Sequence, residues 1–395
     1  MHNIKKRHFI FTQVNRLAII TFISSISMAA VGTIWAIYLE SFFKNESYVG
    51  FLLTFFTIVA MVSSILIIPY VERTSKSKIY IISLLAYAVS YISFAILENI
   101  YVVVVMGTFL AFMSTLKLTS FGIILRDKSQ DKNVSKNIGL IYTFLNLSWL
   151  LGPLLAGFIS QEYGFSKVFL LGAGFQLLAF ILFTSFRIKD NRVEKKIDKN
   201  PIKLPFKFFK DKNRMLVYIL SAGVSFWWAL IYIYIPMHII DSGLESKMVG
   251  YFLFAIVVPL ILFEYLSGKI AAKKGFRKMF FIGYLSLSIL SLIAFFMTNV
   301  YYILLILVLA SMAVAMIEPT TEAYFFDLIT KSQRDKFYSQ HNTALDVGNI
   351  IATFLSAIIL LFLPFKFLFI LFCVVTLLLA FVSLKIKNIV EARRE

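Results

Sequence analysis

The chain has 395 residues, 59% of them hydrophobic and 15% charged, with a formal net charge of +18. That much apolar surface, at a mean hydropathy of +0.83, exceeds what a soluble core can hide, and the charged share falls below the roughly 25% of soluble domains. A soluble globular fold is excluded, lipid is the expected solvent, and the positive charge has to be read by its placement before it is read as a nucleic-acid surface.

A membrane-crossing helix needs about 20 apolar residues. Twelve runs approach or exceed that length: 17–39, 48–70, 79–97, 100–125, 138–160, 164–186, 215–240, 248–271, 279–298, 300–326, 338–363 and 365–385. None alternates strictly between polar and apolar residues, which favours helices over a transmembrane barrel. The first run is too long for the core of a cleaved signal, and no small-residue cleavage site follows it. Between the sixth and seventh runs lies RIKDNRVEKKIDKNPIKLPFKFFKDKNR, residues 187–214, with eleven Lys/Arg. It divides the chain into a first half, 1–186, and a second, 215–395. Its PIKLPFKFF segment mixes apolar and basic residues, as a surface helix on an anionic leaflet would.

The basic residues sort by side. The termini and the loops and run ends after even-numbered runs hold 34 Lys/Arg; the opposite loops and run ends hold Lys44, Lys167, Lys247 and Lys366; Lys117 alone lies deep inside a run. This asymmetry predicts both termini and the hinge in the cytoplasm of a multi-pass plasma-membrane protein, with lipid and not nucleic acid as the partner of the charge. The halves also repeat. Lys128-Ser129-Gln130 follows run 4, and Lys331-Ser332-Gln333 follows run 10, 203 residues later. Folds built of two like bundles leave that signature. The single cysteine, Cys373, excludes an intramolecular disulfide. His2, His8, His238 and His341 lack metal-ligand spacing. No GxxxxGK[ST] stretch is present, so ATP is not the direct energy source. No cofactor, metal or catalytic constellation is expected, and the chain is not read as an enzyme.

Twelve spans, a long central loop and basic loops after runs 2 and 8 resemble the major facilitator superfamily. That family's loop motif, G-x-x-x-D-R-x-G-R-K, is matched in part twice. The second copy keeps Gly268, Lys273, Gly275 and Arg277, with Ala272 at the acidic position; the first keeps Glu72, Arg73 and Lys76, with Ile68 and Ser75 at the glycine positions. The resemblance implies an all-α fold of two six-helix bundles and a role for Glu72, Arg73 and Lys76 in locking the cytoplasmic side; ordinary positive-inside charges are the alternative. Gly152-Pro153-Leu154-Leu155-Ala156-Gly157 looks like a motif of the family's drug–proton antiporters, although packing and a kink at Gly152, Pro153 and Gly157 account for it equally. Where those antiporters carry an arginine four residues before a glycine in run 4, this chain has Val103 before Gly107.

Charges inside the runs are the candidate coupling residues: Lys117, Glu264, Glu318, Glu322 and Asp346. Each costs about 2.5–3.5 kcal/mol near a helix centre on insertion scales, so they pair, line a wet cavity or carry protons. The 203-residue offset maps Lys117 onto Thr320, between Glu318 and Glu322, which share a helix face. This suggests a gating pair between Lys117 and one of these glutamates in the outward-open state; snorkelling to the interface is the alternative. Glu264 and Asp346 are further candidate proton carriers. Trp227, Trp228, Tyr232, Asn146 and Trp149 are candidates for the substrate cavity, because aromatics with a polar tip suit amphipathic or cationic ligands. The function expected is a monomeric, proton-coupled secondary transporter of a small organic molecule. Efflux of lipophilic or cationic compounds is favoured over uptake of a sugar or amino acid, and a non-transporting sensor is the remaining class.

Overall fold

The computed structural model describes residues 13–128, 134–188 and 203–390. Both termini, and the part of the basic hinge from 189 to 202, lie outside the described residues. The apolar runs all become helix, because backbone without water must satisfy its own N–H and C=O groups. In chain order the helices are α1 (Gln13–Phe43), α2 (Glu46–Leu66), α3 (Ile68–Arg73), α4 (Lys76–Ile96), α5 (Ile100–Lys128), α6 (Val134–Tyr163), α7 (Phe165–Ser185), α8 (Lys203–Phe209), α9 (Lys212–Ala229), α10 (Ile235–Asp241), α11 (Ser246–Lys274), α12 (Phe276–Phe296), α13 (Val300–Leu328), α14 (Lys331–Phe362) and α15 (Phe367–Ser383). Among the described residues, eleven segments are long and apolar enough to cross a membrane, one of them running from Lys212 to Asp241, and the 17-residue α15 supplies a twelfth apolar helix. No strand occurs among the described residues. The chain is an all-α, multi-pass membrane protein.

Proline sets the departures from the expected runs. The second run breaks after Leu66, and α3 restarts with Pro69 in its first turn, where a missing N–H costs nothing. In the seventh run Pro236 cannot donate to the carbonyl one turn back. The chain answers with a π-helical turn, Leu230–Tyr234, in which Ile235 N–H reaches Leu230 O. Such wide turns re-aim the side chains around them. PIKLPFKFF does form a short helix, α8. Phe208 is buried there against the rings of Tyr218, Phe325 and Phe337, while Phe206 is exposed.

The repeat is closer than the sequence suggested. α4 and α12 span Lys76–Ile96 and Phe276–Phe296, and α5 and α13 span Ile100–Lys128 and Val300–Leu328. The offset is 200, so Lys117 corresponds to Ile317 and not to Thr320. The KSQ triplets differ in spacing because the first begins on the last residue of α5 and the second on the first residue of α14.

The described residues form two compact units. Of the described residues, one comprises 13–31, 63–128, 134–152 and 166–188; the other comprises 32–62, 153–165 and 203–390. The boundary therefore cuts α1, α2 and α6 in addition to the hinge. The first unit has a core around Leu17, Ile20, Tyr80, Leu84 and Phe183. In the second, α12 closes on α9 at Gly223, where an added β-carbon would stand 2.8 Å from Tyr284 Oη; that hydroxyl donates to Leu220 O.

Candidate functional site

The second unit holds a carboxylate among aromatic rings. Glu318 lies in α13 just before Pro319. It is half-buried and accepts a hydrogen bond of 3.2 Å from Trp228 Nε1. The Trp228 ring lies 5.4 Å from that of Tyr232, tilted by 34°, and Tyr232 belongs to the π-helical turn. Trp227 beside it is buried, and its Nε1 has no hydrogen-bond partner among the described residues. A carboxylate with one neutral donor can take a proton or a cation without first breaking an ion pair. The orphan indole is a spare donor, and an unmade bond of this kind costs about 1–3 kcal/mol.

The other expected coupling residues are spread more widely. Glu322 is exposed and accepts 2.8 Å from Tyr338 Oη. Glu264 on α11 and Asp346 on α14 are half-buried. In the first unit Lys117 is 8% exposed and donates 2.6 Å to Ser24 Oγ. Each member of the expected gating pair thus has a partner within its own unit. Of the cavity candidates on α6, Asn146 is exposed and Trp149 half-buried. At the loop motifs, the Glu72 side chain lies outside the described residues, Arg73 is exposed and Lys76 is buried. Gly275 has φ +91°, the left-handed side that favours glycine; Gly268 meets open space, so packing does not require it. Lys273 is exposed and Arg277 half-buried.

The helix ends remote from the basic loops meet in a polar seam inside the second unit. Thr54 and Thr353 hydroxyls are 2.7 Å apart, Tyr234 Oη donates 2.9 Å to Thr353 O, and Asn349 Nδ2 donates 3.1 Å to Thr57 Oγ1. α6 and α11 approach backbone to backbone: a β-carbon on Gly157 would lie 3.0 Å from Gly250 Cα, and one on Gly250 would lie 2.6 Å from Pro153 O. Gly152, by contrast, seats α6 on Ala29 and Ala30 of α1 within the first unit. The GPLLAG segment is therefore a packing device with two partners.

Beside this seam sits a cavity of about 530 Å³ lined by Glu40, Lys44, Glu46 and Asp241 among others. The carboxylates of Glu40, Glu46 and Asp241 lie within 4.8 Å of one another. All three acids lie at loops on the side opposite the basic ones, a signal visible in the sequence when acids are sorted by side as the bases are. His341 was not among the expected site residues. That ring is buried, stacks 4.1 Å from Phe325 and shares a 3.0 Å hydrogen bond with Ser221.

A family model described as Major Facilitator Superfamily matches residues 17–274 and 248–393. An uncharacterised MFS-type transporter of Methanocaldococcus jannaschii is 21% identical over 262 residues, 65% of this chain and 68% of its own length. Three solved structures share the fold at low identity. A POT family transporter in complex with 5-aminolevulinic acid has a TM-score of 0.78 at 12% identity, covering 94% of this chain and 95% of its own. The nucleoside transporter NupG has 0.75 at 13%, covering 95% and 99%. A D-xylose–proton symporter has 0.78 at 13%, covering 94% and 98%.

Proposed function

We propose that this chain, which belongs to the Major Facilitator Superfamily and is a membrane transporter, is driven by protons, with Glu318 as the group that carries them. The supporting observation is the hydrogen bond from Trp228 to a half-buried carboxylate. A carboxylate in a spanning helix is costly unless it works or is paired, and among the described residues of its own unit Glu318 is hydrogen-bonded by a neutral donor. Trp228 and Tyr232 sit where a bound solute would compete for it, and Trp227 supplies a further donor.

The transport cycle is alternating access around a site near the bilayer midplane. The seam at Thr54, Thr353, Gly157 and Gly250 is the outer gate in its closed form, given the cytoplasmic placement of the basic loops. The protein works in the plasma membrane as a monomer and exports a lipophilic solute. The second reading is uptake of a nutrient, which rests on the same proton site run in the other direction. Proteoliposomes with an imposed pH gradient and a compound panel separate the two. Efflux predicts that solute leaves as protons enter the compartment; accumulation of solute together with protons would establish uptake instead.

A further inference from the structure

The first unit contains a buried ammonium that the proton site does not use. Lys117 Nζ lies 2.6 Å from Ser24 Oγ, 3.1 Å from Met28 Sδ and 4.5 Å from the centre of the Tyr87 ring. Its strong acceptor, Ser24, is held by neighbours. Ser24 Oγ donates 3.0 Å to Gln176 Oε1, and Gln176 Nε2 donates 3.1 Å to Ser24 O and 3.2 Å to Ser27 Oγ. Ser27 Oγ in turn donates 2.7 Å to Gly172 O. This network ties α1, α5 and α7 together and satisfies its own polar atoms. What it leaves uncompensated is the charge, since no described carboxylate of that unit comes within 4.0 Å of the ammonium.

A buried cation without a counter-ion is strongly unfavourable. Two of its three N–H directions face a thioether and an aromatic ring, both weak acceptors. An oxyanion outcompetes both, and a charge-assisted bond is about twice as strong as a neutral one. Met28 and Tyr87 would then flank the ligand as an apolar wall.

We infer that Lys117, positioned by Ser24 and Gln176, binds the carboxylate or phosphate of an amphipathic cargo. The inference rests on the transporter reading and names its substrate class. It favours an anionic cargo over the cationic one expected from the aromatic residues, because the uncompensated charge in this unit is positive.

The test is binding, which needs no flux. Full-length protein in phosphatidylcholine nanodiscs is titrated with 4-phenylbutyrate, phenyl phosphate and the uncharged 4-phenylbutyramide. At least one acid is expected to bind tenfold or more tightly than the amide. Lys117→Met abolishes that preference, and Lys117→Arg, which keeps the charge and guards against misfolding as the cause, retains it. Binding is read at equilibrium with no pH gradient across the nanodisc, so a failure of proton coupling would not be mistaken for a failure here. Adding phosphatidylglycerol separates two sources of the same chemistry: loss of the preference assigns the oxyanion to a lipid headgroup, and its survival assigns it to a free solute. Equal affinity for acids and amide, no binding of either acid, or a preference that survives Lys117→Met overturns the inference.

Discussion

Trp228 gives Glu318 the one hydrogen bond found for it in the second unit. Hydrogen bonds to charged groups contribute about 1.5–3 kcal/mol, so Trp228→Phe is expected to lower proton-driven flux at least tenfold; initial rates within twofold of wild type would contradict the role. Thr353→Val removes the partner of Thr54. A loss of about 1 kcal/mol shifts the outer gate roughly fivefold towards open. Ser47 is buried in the first turn of α2, next to Glu46 of the cavity; in a Cys373→Ser background carrying Ser47→Cys, alkylation by an impermeant maleimide should quicken by that factor. At this scale the sequence singles out residues more readily than it shows what they touch. Lys117, Glu318 and Trp228 are legible because charged or polar atoms in apolar runs demand an explanation. Their partners are not, since Trp228 and Glu318 are 90 positions apart, and Ser24 and Gln176 look unremarkable in a helix until Lys117 Nζ is placed between them.

The crossing of α6 and α11 carries the argument at the scale of elements. It depends on glycine at 157 and 250, which leaves no room for side chains. Gly250→Leu overpacks the contact, at about 1–3 kcal/mol, and is expected to hold the gate open, raising the same alkylation rate by about fivefold or more while flux falls. An unchanged rate would mean that the crossing is not part of the gate. The existence and order of the helix spans were legible, because hydropathy measures the solvent a helix needs, but their polar ends were not: α14 begins at Lys331, ahead of the apolar run that starts at 338. The break at Ile67 and the π-helical turn before Pro236 were not, because a proline in an apolar run is compatible with a stop, a kink or an inserted residue. Only the partners of the freed carbonyls decide among them.

Charge asymmetry and the 200-residue repeat organise the whole molecule. Both were visible in the sequence, since insertion reads Lys and Arg at loop positions. The division into units was not, because it cuts α1, α2 and α6 at the sealed ends of those helices, and a seal belongs to one state of the cycle, which composition does not encode. The placement of the basic loops predicts that a protease-cleavable tag at either terminus survives protease added to intact spheroplasts and is lost on lysis; cleavage without lysis would reverse the orientation. The most direct test of proton coupling uses proteoliposomes carrying Glu318→Gln, compared with wild type for one transported compound. The account predicts that flux driven by a pH gradient disappears while exchange of labelled for unlabelled solute continues. Gradient-driven flux that persists at the wild-type rate would contradict it.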